Sequence, residues 1–282
     1  MAATGSFTAS RRELGSLLRS FRTDRGLTAE QAARRLGVSR SKISRLETGE
    51  RGANHVDILR LCELYQVDEA DRRRLTGLAA EGKQRAWWSP FNFPHSEYIG
   101  LEAAASSISD WCLALAPGLL QTEQYARAVV RGSVPEKQTR VVDERVQERL
   151  DRQKLLYSEA APRFEAILDE SVLHRVVGSP AVMVGQLRQL LEMSEMPQVT
   201  IRVVPYNAGA VPAGVSKFRI LRFALPNVSD IVQTEELTRH RNLGAPGEVE
   251  IYEETFRVLT DLSADSAASQ AMILAKLRTY EA

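Results

Sequence analysis

Apolar residues recur at helical spacing through the first third of the chain, and polar residues with capping chemistry punctuate them. Leu14, Leu17, Leu18 and Phe21 form one stripe and predict a helix over Ser10 to Asp24. Thr28 and Gln31 have the spacing of a capping box, in which the hydroxyl accepts from the third amide and the Gln side chain reaches back. A short helix, Ala29 to Leu36, follows, with a narrow inner face of Ala32, Ala33 and Leu36. Gly37 stands where the chain must turn sharply, and Ser39 caps the next helix. Val38 and Ile43 have the spacing of a hydrophobic staple, and Ile43 with Leu46 points inward. Asn54 caps a fourth helix through Tyr65, with Ile58, Leu59, Cys62 and Tyr65 as its inner face. Asp68 caps a fifth, Glu69 to Ala80, with Leu75 and Leu78 turned inward.

The pattern breaks between Glu81 and Pro94, where Gly and two Pro interrupt it. Trp87, Trp88, Phe91 and Phe93 are too apolar for a free linker and are expected to pack on a second domain. Beyond them, helices are predicted over Ser96 to Leu115, Gln121 to Arg131 and Val134 to Ala160. The period then changes to two at Phe164 to Leu168, Val199 to Val204, Lys217 to Phe223 and Asp230 to Thr234. Helices at Ala181 to Ser194 and Val249 to Leu259 intervene, and Ser266 to Tyr280 is a helical tail. The chain thus reads as mainly α with an α+β second domain of helices and a small mixed sheet. The expected limits are a lead-in at 1–9, a helical domain at 10–82, an aromatic linker at 83–95 and the second domain at 96–282.

With 282 residues, 44% hydrophobic and 26% charged, two domains of ordinary globular balance are expected. No apolar run approaches the roughly 20 residues of a membrane span, and the N-terminus has no signal-peptide core, so a cytoplasmic, nucleoid-associated protein with no membrane partner is expected. Cys62 and Cys112 lie in apolar helical contexts and read as buried thiols. The net charge of +1 hides an asymmetry: residues 1–85 carry 17 Lys and Arg against 11 Asp and Glu, and the remainder 20 against 25. Positive charge gathers where a polyanion would be met, and binding there would be salt-dependent.

The second of the two short helices turns Arg40, Ser41, Ser44 and Arg45 outward, with Lys42 at its flank. Arg can grip guanine through two parallel hydrogen bonds and Ser accepts several base-edge partners, so this helix has what a major-groove reader needs. Residues 27–51 therefore read as a helix-turn-helix.

Thr28 to Arg51 resembles the xenobiotic-response-element regulators, which are related to the phage repressors and run roughly LTQEELAxxLGVSRSxISxxExGxR. The resemblance implies a five-helix, lambda-repressor-like domain with Arg40, Ser41 and Arg45 at bases and Thr28, Lys42, Ser44 and Arg51 at phosphates. It also implies an ion pair between Arg22 and Glu47 that is structural and does not touch DNA. Ala29 stands where many members carry a backbone-touching Gln, which puts that contact in doubt.

The second half is similar to a C-terminal domain of many actinobacterial regulators, described as of unknown function and antitoxin-like. The likeness rests on Tyr98 to Glu102, Pro117 to Thr122, Tyr125 to Arg127, Arg149 to Gln153, Leu168 to Glu170 with Leu173, and Gln186-Leu187 with Leu190. A sequence-specific regulator, homodimeric and bound to double-stranded operator DNA, is the leading expectation. The rivals are an antitoxin-like protein that neutralises a small partner encoded beside the gene, and a regulator sensing a small molecule in a pocket bounded by Trp87, Trp88 and Tyr206.

Catalytic chemistry finds little support. Asp169, Glu170 and His174 could be drawn as a metal or nuclease site, but neighbours on a strand end point to opposite faces, and a helix cap with a surface His fits better. The four His have no ligand spacing, and there is no phosphate loop, dinucleotide fingerprint or nucleophile elbow. No enzymatic activity, cofactor or metal is expected.

Overall fold

The computed structural model describes residues 6–82, 96–133, 139–214, 216–224, 228–235 and 240–282. Its contacts divide the chain into two compact units, Met1–Ala105 with Phe223–Ser229, and Ser106–Arg222 with Asp230–Ala282. Among the described residues no helix is long and apolar enough to cross a membrane.

The first unit holds α1 (Ser6–Asp24), α2 (Ala29–Leu36), α3 (Arg40–Glu47), α4 (His55–Tyr65), α5 (Glu69–Glu81) and α6 (Ser96–Ala104). Leu14, Leu18, Ile43, Leu46, Ile58 and Leu75 meet in its core, each 3% exposed or less. The inner face of α4 is Ile58, Leu61, Cys62 and Tyr65, while Leu59, expected inside, is half-buried. The spacing i, i+3, i+4, i+7 keeps the four on one stripe, and Leu59 lies about 100° away from Ile58. Gly15 allows an unusually close crossing of α1 over the end of α3: a Cβ there would lie 2.5 Å from the Glu47 carbonyl oxygen and 2.6 Å from that of Leu46.

The second unit is built on a six-stranded mixed sheet with α7 (Glu123–Ser133), α8 (Thr139–Gln153), α9 (Ser171–His174), α10 (Pro180–Ser194), α11 (Pro246–Leu262) and α12 (Ser266–Glu281). Its strands are β1 (Ser107–Cys112), β2 (Arg163–Asp169), β3 (Val199–Val204), β4 (Phe218–Arg222), β5 (Ile231–Glu235) and β6 (His240–Leu243), in the order β3-β2-β1-β4-β5-β6. β1, β2 and β3 pair in parallel, and β4 to β6 continue antiparallel from β1. Trp111, Ile167, Phe218, Ile220 and Val232 pack one sheet face against Phe256 and Leu259 of α11.

The helix expected over Ser96 to Leu115 ends at Ala104, and the central strand β1 takes Ser107–Cys112. Ile108, Trp111 and Cys112 mimic helical spacing because β1 is covered on both faces, so five consecutive residues are buried and no alternation survives. The helix expected over Val134 to Ala160 runs from Thr139 to Gln153 and tightens into a 3₁₀ turn at Lys154–Tyr157. β6 was not expected; its four residues are too few to show a period.

Candidate nucleic-acid interface

Local chemistry builds the helix-turn-helix first. Thr28 Oγ1 accepts from Gln31 N at 3.1 Å while Gln31 Oε1 accepts from Thr28 N at 2.8 Å, closing the capping box of α2. Gly37 ends α2 at φ 66°, in the left-handed region that a side chain resists, and its amide returns to Ala33 and Arg34. Ser39 Oγ then accepts from Lys42 N at 3.2 Å and starts α3. Only Ile43 and Leu46 of α3 are buried.

Most basic residues around α3 are already committed. Arg22 meets Glu47 with two bonds, Nε to Oε1 at 2.6 Å and Nη2 to Oε2 at 2.9 Å, and also donates to the Leu27 carbonyl. The pair is about nine-tenths buried, and its hydrogen bond outweighs desolvation, so the guanidinium is held above its ordinary range. Arg60 donates to the Leu36 carbonyl at 2.7 Å and Arg25 to that of Tyr65 at 2.7 Å, closing the ends of α2 and α4. Lys42 Nζ lies 2.7 Å from Asp57 Oδ1 of α4.

What is left over is the outer surface. Arg40, Ser41, Ser44, Arg45, Thr28 and Arg51 are all exposed. Arg40, Arg45 and Arg51 make no ion pair with any described residue; Arg45 Nε reaches only the Ser41 carbonyl of its own helix, at 3.3 Å. Ser41, Ser44 and Arg45 lie on the side of α3 away from Ile43 and Leu46, with Arg40 at its edge. A duplex meeting this face would find two guanidinium groups whose donors are spent on no carboxylate among the described residues.

The remaining sequence-derived candidates do not gather. Trp87 and Trp88 lie outside the described residues. Tyr206 is 56% exposed on a 3₁₀ turn, its ring 5.5 Å from that of His174. Asp169 Oδ1 accepts from Ser171 N at 2.9 Å, and Glu170 is divided between His174 Nε2 at 3.2 Å and Tyr206 N at 2.7 Å. Glu170 therefore ties the chain after β2 to the chain after β3, while Asp169 closes the turn that follows β2. Among the described residues no group of three or more His, Cys, Asp or Glu could hold a metal ion.

The motif residues of the second unit have structural partners. Gln153 Nε2 donates to the carbonyls of Gly118 and Gln121, Gln121 Nε2 to that of Ala116, and Gln186 Nε2 to that of Leu120. Arg149 donates to Gln121 Oε1 at 2.6 Å, and Gln186 Oε1 accepts from Thr122 N. Residues 116–122 leave carbonyls and amides without strand partners in a buried place, and three Gln side chains supply the missing bonds.

The residues that sequence reasoning missed are Asp57 and Gly15. Asp57 reads as an ordinary first-turn acid, and a Gly in a helix carries no signal of what crosses it. Residues 13–75 match a family described as a helix-turn-helix domain, and residues 95–275 match one described as a domain of unknown function (DUF5753). Comparison with curated proteins and with solved structures returned no match.

Proposed function

We propose that this chain, which belongs to the DUF5753 family and carries ahead of that domain a helix-turn-helix domain that suggests a DNA-binding regulator, reads a specific operator in duplex DNA as a homodimer. The supporting observation is the division of basic residues. Arg22 and Lys42, which face inward or to the flank, are paired, while Arg45 on the outer side of α3 and Arg40 at the edge of that side are exposed and have no carboxylate partner among the described residues. Arg40, Ser41 and Arg45 read base edges, and Thr28, Ser44 and Arg51 hold phosphates. One such module covers too few base pairs to select a site in a genome, which is why two copies are needed, on half-sites about one helical turn apart. The second unit supplies pairing and contact with other molecules.

The experiment is enrichment of genomic fragments by the purified full chain, repeated with the Arg40→Ala, Arg45→Ala double variant. A compact two-fold motif that the variant loses is expected. Motif-free binding by the unaltered chain would overturn operator reading and turn attention to neutralisation of a small partner protein, scored by co-purification with the product of a neighbouring short gene.

A further inference from the structure

Helix α3 is eight residues long and is anchored in the core by Ile43 and Leu46 alone. Two apolar anchors three residues apart define a line along the helix, and roll about that line is limited by what flanks it and by the close approach of Gly15 to its last carbonyls. At about 100° per residue, Lys42 and Glu47 fall about 70° to either side of the direction midway between Ile43 and Leu46. Each of these flanking residues is tied to a different helix. Glu47 is gripped by Arg22 of α1 at 2.6 Å and Lys42 by Asp57 of α4 at 2.7 Å.

We propose that Lys42 is a positioning residue of the recognition helix, its ammonium committed to Asp57 and not to a DNA phosphate, so that the Lys42–Asp57 and Glu47–Arg22 pairs act as opposed struts that set the roll of α3. The Lys42 side chain is 22% exposed and that of Asp57 13%, too little for a lysine extended toward solvent. Its stem borders the notch between α2, α3 and α4, with Leu36, Val38 and Leu61. The far end of the strut belongs to α4, where Asp57 N donates to Asn54 Oδ1 at 2.7 Å, so Asp57 does not follow Lys42 if α3 rolls. Roll decides where Arg40 and Arg45 point, because both lie near the surface of a cylinder whose side chains swing with it.

The DNA-binding half of the test rests on the operator reading above; the other half does not. The full chain is compared with Lys42→Met, Asp57→Asn and the double variant. Without DNA, hydrogen exchange of the α3 amides is expected to speed up in both single variants while α1 and α5 keep their protection. Unchanged exchange in α3 overturns the strut, whatever the protein binds. With DNA, each single variant should lower the ratio of operator to random-duplex affinity about tenfold, the value of one well-placed base contact. The salt slope should be unchanged, and the double variant should be no worse than either single one. If instead Lys42→Met weakens operator and random DNA alike and reduces the salt slope by about one, while Asp57→Asn tightens both, the lysine holds a phosphate and the proposal fails. Failure of operator reading shows separately, as the absence of operator selection in the unaltered chain.

Discussion

Gly15→Ala and Gly77→Ala make the same chemical change in two helices, and the structure requires opposite signs for them. In an open helix interior, replacing Gly with Ala stabilises by about 1 kcal/mol, because Gly loses more backbone freedom on folding. Gly77 lies on the exposed side of α5 with nothing within 4 Å of an added Cβ, so it should show that gain in full. At Gly15 the methyl would stand 2.5 Å from the Glu47 oxygen, 2.6 Å from the Leu46 oxygen and 2.8 Å from the Glu47 carbonyl carbon. All three are backbone atoms, which cannot rotate away, so α1 and α3 must separate by nearly 1 Å to reach ordinary contact. Such overpacking costs about 1–3 kcal/mol, and separating the helices also stretches the bidentate Arg22–Glu47 pair. Set against the propensity gain, a net loss of up to about 2 kcal/mol is expected, or up to about 16 °C in melting temperature for a unit of this size. Thermal unfolding, with hydrogen exchange of α1 and α3 peptides to locate the effect, measures both variants. If Gly15→Ala raised stability as much as Gly77→Ala, the crossing of α1 over α3 would be wrong.

Removing one member of the Arg22–Glu47 pair leaves a buried charge, so Glu47→Ala should cost about 3–5 kcal/mol in urea unfolding, and the double Arg22→Met, Glu47→Leu change far less. Arg40→Ala and Arg45→Ala should each cost about 1–3 kcal/mol of operator affinity and relax choice at one base position, with an unchanged melting temperature; equal losses on random DNA would sink base reading by α3. Burial pushes the thiols of Cys62 and Cys112 above their ordinary range. Their folded pKa values are raised, so this contribution to stability is complete below a free thiol's pKa of about 8.5 and is lost as pH rises above it, where only the unfolded chain ionises. Cys112→Val should flatten that alkaline decline in urea unfolding, and both native thiols should resist alkylation at pH 8.

How much was legible varied with the range of the interaction. Thr28, Gln31, Gly37 and Ser39 signal the two short helices because a cap is a bond between residues three apart, and the structure has each of these caps. The strands β2 to β5 showed through their alternating or β-branched runs. β1 did not, because a strand covered on both faces has no polar side to mark its period. The Gln-rich motif of the second unit was visible as a pattern, but its role as a set of donors to the carbonyls of residues 116–122 was not, since two of its members lie 32 and 66 positions away from their acceptors.

The sequence by itself determined a helix-turn-helix with basic, outward residues on its second helix, because caps, turn and anchor spacing are all settled within a few residues. Only the tertiary structure decided which of the basic residues on and around that helix are available. Arg22 is taken by Glu47, 25 positions on, and Lys42 by Asp57, 15 positions on, while Arg40 and Arg45 are left without an ion-pair partner among the described residues. A charge declares itself in a sequence, but its partner is chosen by which helices cross, and crossing is fixed by long-range packing such as the bare backbone of Gly15 against the end of α3.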